Sequence, residues 1–152
     1  MNNRAALYII GQFILAAIML AALFLFPLGN DTTLRIIGLA LIGLGGLVIL
    51  LSAWEHQARN RALPYITPEP NQNVGLVDTG IYGYIRHPIY SGVILGAFGV
   101  ALAHGHIAPI IIAAVILIFF TSKSIFEESL LRQTYPEYTD YMKRTGRFLP
   151  GL

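Results

Sequence analysis

Residues 86–128 read RHPIYSGVILGAFGVALAHGHIAPIIIAAVILIFFTSKSIFEE, and the 35 positions between His87 and Lys123 hold no Asp, Glu, Lys or Arg. One helical crossing of a bilayer takes about 20 residues at a rise of 1.5 Å each, so this run is too long for one. It carries its own break, His104-Gly105-His106 followed by Pro109. Folded there, it becomes a hairpin of two helices of roughly 16 residues each, a little under a full crossing. The hairpin returns Arg86-His87 and the Lys123, Glu127, Glu128 cluster to one membrane face. Basic and acidic groups gathered at the end of apolar helices point to a site.

Composition agrees with a membrane domain. Of 152 residues 55% are apolar and 12% charged, against about a quarter charged in a soluble domain. Two more stretches, residues 5–30 and 36–54, are uncharged and long enough to cross. The expected architecture is an all-α polytopic membrane helical bundle of about four transmembrane segments, near residues 6–26, 33–53, 88–103 and 107–122. The last two form a tight hairpin, followed by a cytoplasmic C-terminal helix, and residues 1–152 make one domain. The apolar stretch after Arg4 exceeds a signal-peptide core and has no small-x-small cleavage site before Pro27, so it reads as a retained anchor. Cysteine is absent, which excludes disulfides, thiolate metal ligands and thiol nucleophiles.

Charge placement sets the expected orientation. With the N-terminus inside, nine basic residues (Arg4, Arg59, Arg61, Arg86, Lys123, Arg132, Lys143, Arg144, Arg147) fall on the cytoplasmic side and only Arg35 opposite. That asymmetry predicts cytoplasmic N- and C-termini, in the inner membrane if the cell is bacterial. Gly38, Gly43, Gly45 and Gly46 in the second span invite close approach of a neighbouring helix and permit a homodimer. Trp54 reads as an interfacial anchor.

Residues 55–86 read as a polar loop punctuated by proline and glycine, long enough to carry function. Its GIYGYIRHP end mixes backbone freedom with aromatic rings, a composition suited to a flat ligand with polar edges. Residues 122–135 read as a helix continuing the fourth span and stopped by Pro136, and residues 137–144 as another short helix.

Several side chains can carry chemistry, each with a plainer role beside it. Pro88 suits the first turn of a helix and places His87 and Arg86 at its mouth. Arg86 alone reads equally well as a positive-inside anchor. Glu127 and Glu128 point about 100° apart on a helix, so they are expected not to share a partner. One is to face the site and the other to meet solvent or Arg132, four residues on. Ser124 and Glu127 have capping-box spacing, which a continuous helix does not need. Lys123 stands one turn before Glu127, placed to bind an anion or to pair with that carboxylate. Tyr135, Tyr138 and Tyr141 read as an aromatic belt. His104 and His106 read as turn residues, with no metal site expected. Dinucleotide, phosphate-loop, zinc-protease and serine-hydrolase motifs are absent, as is a basic stripe for nucleic acid.

GIYGYIRHPIYSG, an apolar hairpin and then EESLLRQTYPEYTDYMKRTGRFLPGL together resemble the isoprenylcysteine carboxyl methyltransferase family and the related phospholipid N-methyltransferases. The match covers roughly residues 74–152. The resemblance implies a helical membrane bundle that binds S-adenosyl-L-methionine through segments 74–90 and 123–150. Its cofactor contacts map onto Val74, Leu76, Val77, Tyr82, His87, Pro88, Ile89, Tyr90 and Glu127, with Glu128 as the second acid. Catalytic roles fall to Lys123, Glu128 and Arg144, with Lys123 where prenylcysteine enzymes carry an arginine that touches the substrate carboxylate. Lysine keeps that charge and loses the bidentate fork. The chain is shorter than eukaryotic members at its N-terminal side.

The reaction implied is methyl transfer to a lipophilic acceptor, a prenylated or lipid substrate reached from the bilayer, most simply O-methylation of a carboxylate. Three alternatives stand beside it: N-methylation of a phospholipid amine, an NADPH-dependent sterol-reductase-like enzyme, and a non-catalytic membrane scaffold.

Overall fold

The computed structural model describes residues 3–61, 63, 64, 67 and 75–151. Among these residues five α-helices follow one another: α1 (Asn3–Leu25), α2 (Thr32–Asn60), α3 (Pro88–His104), α4 (Ile107–Thr134) and α5 (Tyr138–Arg144), with a 3-10 turn at Gly80–Gly83 ahead of α3. Among the described residues α1, α2 and α4 are long and apolar enough to cross a membrane, and α3 is a shorter apolar helix of 17 residues. The protein is an all-helical membrane protein. Leu7, Ile14, Leu39, Leu50, Ile111 and Ile118 stand exposed on the outer faces of the three long helices. Such a continuous apolar surface is stable against lipid and not against water.

The hairpin turns where the sequence breaks. Gly105 caps α3 with φ 75°, a left-handed conformation that costs glycine little. His106 then caps α4, its Nδ1 accepting from the Ala108 amide. The loop between α1 and α2 closes over this turn, with the Gly29 amide donating to the His104 carbonyl at 2.8 Å and Phe26 stacked on His106.

α2 lies antiparallel to α3 at backbone contact. A Cβ added to Gly38 would sit 2.4 Å from the Gly99 carbonyl oxygen, and one on Gly45 would sit 2.6 Å from that of Gly92. Each helix thus offers two glycines seven residues apart, and the pairs oppose one another. Gly43 and Gly46 meet nothing within 4 Å and lie on the exposed face. Only half of the glycine-rich stretch serves packing within the chain.

α1 packs on the other side of the bundle, against α4. Tyr8 touches Phe119 and Phe126, Gln12 meets Lys123, and Met19 joins Ile116 and Phe120 in the core cluster. Numbers rise along α1 as they fall along α4, so these helices also run antiparallel.

One expectation about length is corrected and one is met. α2 does not end near Ala53 but continues to Asn60, because its last residues are ordinary helix formers and Glu55 pairs with Arg59 at 3.3 Å one turn on. It stops at Arg61, in the left-handed region at φ 52°. α4 passes from membrane into polar sequence without interruption as far as Thr134. Ser124 is therefore no cap: its hydroxyl donates to the Thr121 carbonyl in mid-helix.

Gly38→Ala should destabilise the protein by about 1–3 kcal/mol, the range for overpacking a site with no room to move. Gly43→Ala should leave stability unchanged or raised. Thermal unfolding of both variants in one detergent tests the pair.

Candidate functional site

At the end of the bundle where α3 begins and α4 emerges, the C-terminal segment folds back beside the residues leading into α3. Ile85 and Gly146 form a parallel bridge. The Arg86 and His87 amides donate to the Gly146 and Arg147 carbonyls at 2.8 and 3.0 Å. The Ser91 hydroxyl donates to the Phe148 carbonyl at 2.7 Å. His87 is thereby fixed from both sides, and its ring stacks on that of Tyr90, one turn later, at 5.2 Å and 5°.

Glu128 is the hub of this end. It is 2% exposed. Arg86 Nε donates to its Oε1 at 2.9 Å and Arg147 Nη2 to its Oε2 at 2.8 Å. His87 Nε2 stands 3.4 Å from Oε1, within ion-pair reach but not aligned as a hydrogen bond. Arg86 also donates to the Met142 carbonyl at 3.2 Å and to the Thr145 carbonyl, tying α5 to the hub. The bond to Glu128 pushes the Arg147 guanidinium above its ordinary value. Arg86 is therefore no surface anchor, since its side chain is 8% exposed. Arg132 Nε donates to the Glu128 backbone carbonyl and not to its carboxylate, so the acid, 2% exposed, meets neither solvent nor that arginine side chain.

Glu127 points the other way, into a cavity of about 460 Å3. Tyr90 donates its hydroxyl to Glu127 Oε2 at 2.7 Å, and His87 Nδ1 lies 3.7 Å from the same oxygen. The two acids do share a neighbour, contrary to expectation. The imidazole lies between them and offers a different nitrogen to each.

The cavity has two ends of different character. One is lined by Tyr82, His87, Glu127, Tyr138 and Tyr141, the other by Phe13, Ala16, Val93, Ile116 and Phe120. α4 supplies both, since Ile116, Phe120, Lys123, Glu127 and Leu131 recur at three- and four-residue spacing on one helix face. Lys123 marks the change of character. It is 1% exposed, donates to Gln12 Oε1 at 2.7 Å, and stands 5.1 Å from the centre of the Tyr90 ring.

The tyrosines of α5 are interior groups rather than an aromatic belt: Tyr138 is 1% and Tyr141 2% exposed. Tyr141 donates to the Tyr82 carbonyl at 2.7 Å, holding the turn before α3 in place. Burial, and then the charge of Glu127, pushes the Tyr82 phenol well above its ordinary value. Burial does the same to Tyr141. Both stay protonated and can donate at any physiological pH.

Of the residues expected at the site, Leu76, Val77, Tyr82, His87, Pro88, Ile89, Tyr90, Lys123 and Glu127 line this one cavity. Val74 lies outside the described residues. Arg144 is elsewhere: it pairs with Asp78 at 2.5 Å, with a side chain 57% exposed. That pair ties α5 to the segment carrying Leu76 and Val77. Glu128 stands behind the cavity wall. Gln12 and His56 are lining residues that sequence reasoning missed. A single carboxamide among the apolar residues of the first span was the available signal for Gln12. His56 carried none.

A family model described as phospholipid methyltransferase matches residues 33–138, from the start of α2 to the start of α5. The chain belongs to that family. A eukaryotic intramembrane Ras methyltransferase, isoprenylcysteine carboxyl methyltransferase, has the same fold, with a TM-score of 0.68 over 99% of this chain and 54% of that one, at 22% identity. The Protein-S-isoprenylcysteine O-methyltransferase of Schizosaccharomyces pombe is 29% identical over 87 residues, 56% of this chain and 37% of that protein. The nickel-cobalt-cadmium resistance protein NccN of Alcaligenes xylosoxydans xylosoxydans is 33% identical over 78 residues, 51% of this chain and 37% of that protein. The chain thus spans under half the length of the curated relatives it matches. The family match contains the Tyr82–Tyr90 segment, Lys123 and both acids, and stops short of Arg147 and the returning C-terminal segment.

Glu128→Gln should cost roughly 3–5 kcal/mol of stability, because it leaves the buried Arg86 guanidinium and the half-buried one of Arg147 short of their counter-charge. Glu127→Gln, which removes a charge from a cavity wall, should cost roughly 1 kcal/mol. Equal losses in parallel denaturation curves would contradict the division of labour between the two acids.

Proposed function

We propose that this domain transfers a methyl group from S-adenosyl-L-methionine to a lipophilic acceptor, most simply as a carboxylate O-methyltransferase of the isoprenylcysteine type. The observation that carries the reading is one cavity with a carboxylate–imidazole–phenol end, an apolar end, and an ammonium where the two meet.

The residues fit such a donor. A cationic ligand is favoured by the Glu127 carboxylate and by the ring faces of Tyr82, Tyr90 and Tyr141. His87 lines the cavity, with its Nδ1 on the Glu127 side at 3.7 Å, and that nitrogen can serve a bound polar group as donor or acceptor according to the tautomer. S-adenosyl-L-methionine, when bound, supplies an electrophilic methyl on a sulfonium.

The chain's own part is placement. Glu127, held by Tyr90, and His87, held by the returning C-terminal segment, bind and orient. Val77, Ile89 and Phe120 keep water from the reacting region. Lys123 holds an anionic acceptor in register, while the apolar end receives its hydrocarbon. Fixing both partners at near-attack distance lowers the barrier without a proton transfer, because a carboxylate is already a nucleophile at neutral pH. Arg144 and Glu128 are positioning residues in this scheme. The nine-to-one distribution of basic residues supports cytoplasmic termini and a site on the cytoplasmic leaflet.

The description of the matching family favours a second reading, N-methylation of a phospholipid amine. Assays of prenylated cysteine acids and phosphatidylethanolamine side by side separate the two.

Calorimetric titration of S-adenosyl-L-methionine into detergent-solubilised protein should show binding, weakened roughly tenfold or more by His87→Ala and by Glu127→Ala. Affinities equal to the parent's in both variants, or tighter binding of NADPH, would remove the assignment.

A further inference from the structure

α1 lies outside the family match except as part of the shared fold, yet it sends one polar side chain into the cavity. Residues 5–25 contain a single carboxamide, Gln12. A polar group within a membrane helix is expensive and marks a pathway or a binding site more often than a neutral face. Gln12 Oε1 accepts from Lys123 Nζ at 2.7 Å, across 111 positions of sequence. Both side chains line the cavity, between apolar residues of α1 and α4 on one side and the Tyr90–Glu127 pair on the other.

The donor inventory decides what this pair recognises. A carboxamide that gives its oxygen to an ammonium keeps two N–H donors on its nitrogen. The Gln12 nitrogen makes no hydrogen bond to a described residue. An ammonium and a primary amide side by side thus present N–H groups from two helices at the entrance to an apolar pocket. That arrangement suits the two oxygens of a carboxylate, and it repels an ammonium.

We propose that Gln12 determines acceptor specificity: its oxygen fixes the Lys123 ammonium at the junction of the cavity's two ends, and its N–H groups join that ammonium in receiving a carboxylate on a lipophilic acceptor. The inference rests on the methyltransferase reading above and adds the residue that selects the acid over the amine. Because Gln12 lies outside residues 33–138, this selection belongs to the first helix and not to the matched family segment.

The experiment uses full-length protein in detergent or proteoliposomes, with a prenylated cysteine acid and phosphatidylethanolamine as acceptors. Gln12→Glu keeps the shape, converts the hydrogen bond to an ion pair and sets a negative charge against the acceptor. Gln12→Met keeps the volume and removes the N–H groups. In both, kcat/KM for the acid should fall roughly tenfold to a hundredfold, mainly through KM. The ratio of acid to amine turnover should fall with it, and Kd for S-adenosyl-L-methionine should stay at the parent's value. The unchanged Kd reports an intact fold, and if Gln12→Glu does not fold, Gln12→Met carries the same comparison.

An unaltered acid-to-amine ratio in variants that bind cofactor normally, with or without lower thermal stability, makes Gln12 a helix–helix contact and overturns the inference alone. Failure of the parent protein to bind S-adenosyl-L-methionine overturns the functional reading and the inference together.

Discussion

A carboxylate held by two guanidiniums inside the end of a lipid-facing bundle is the constraint on which the rest of the site depends. Glu128 accepts from Arg86 and Arg147, and those two residues come from the entrance to α3 and from the C-terminal segment. The ion pairs therefore close a ring of three pieces of chain far apart in sequence. Beside that ring the Ile85–Gly146 bridge runs in parallel, and the His87 amide is held by the Arg147 carbonyl. Removing two charges from water is costly, and geometry this complete is what compensates for it. Glu128 thus does its work without facing the cavity.

The bundle inverts the usual arrangement of a soluble core. Its largest fully buried side chains include Tyr138, Lys123 and Glu128, while isoleucine, leucine and phenylalanine cover its outside. Lipid accepts those outer faces without any hydrophobic drive toward the interior, so the helices associate by close fit and by polar contacts. The two modes are separated in space. α2 and α3 meet through opposed glycines. α1 and α4 meet through aromatic rings, a tyrosine–serine bond and the Gln12–Lys123 bond. The glycine contact sets the spacing of α2 and α3, and the polar contact forms part of the cavity wall.

Much of the fold was legible because membrane helices announce themselves by length and apolarity. The hairpin, the break at Gly105 and the continuation of α4 past Lys123 all follow from hydropathy and glycine chemistry read along the chain. Where α2 ends did not follow, since Glu55 to Arg59 is polar and yet helical, and polarity was taken for a loop. The tyrosines of α5 went astray for a related reason. An aromatic residue near the membrane surface looks the same in sequence whether it faces headgroups or an enclosed cavity. For Tyr138 and Tyr141 only the returning C-terminal segment decides between them.

The sequence by itself determined the class of protein, the hairpin that unites His87 with Lys123, Glu127 and Glu128, and the family to which residues 33–138 belong. These depend on local periodicity and on motifs, which need no knowledge of what packs where. Only the tertiary structure decided which acid faces the cavity, why Arg144 pairs with Asp78 instead of entering it, and that α1 contributes Gln12. Those are questions of direction and partnership. A helix points neighbouring side chains about 100° apart, and what lies in each direction is set by elements that contact it from elsewhere in the chain.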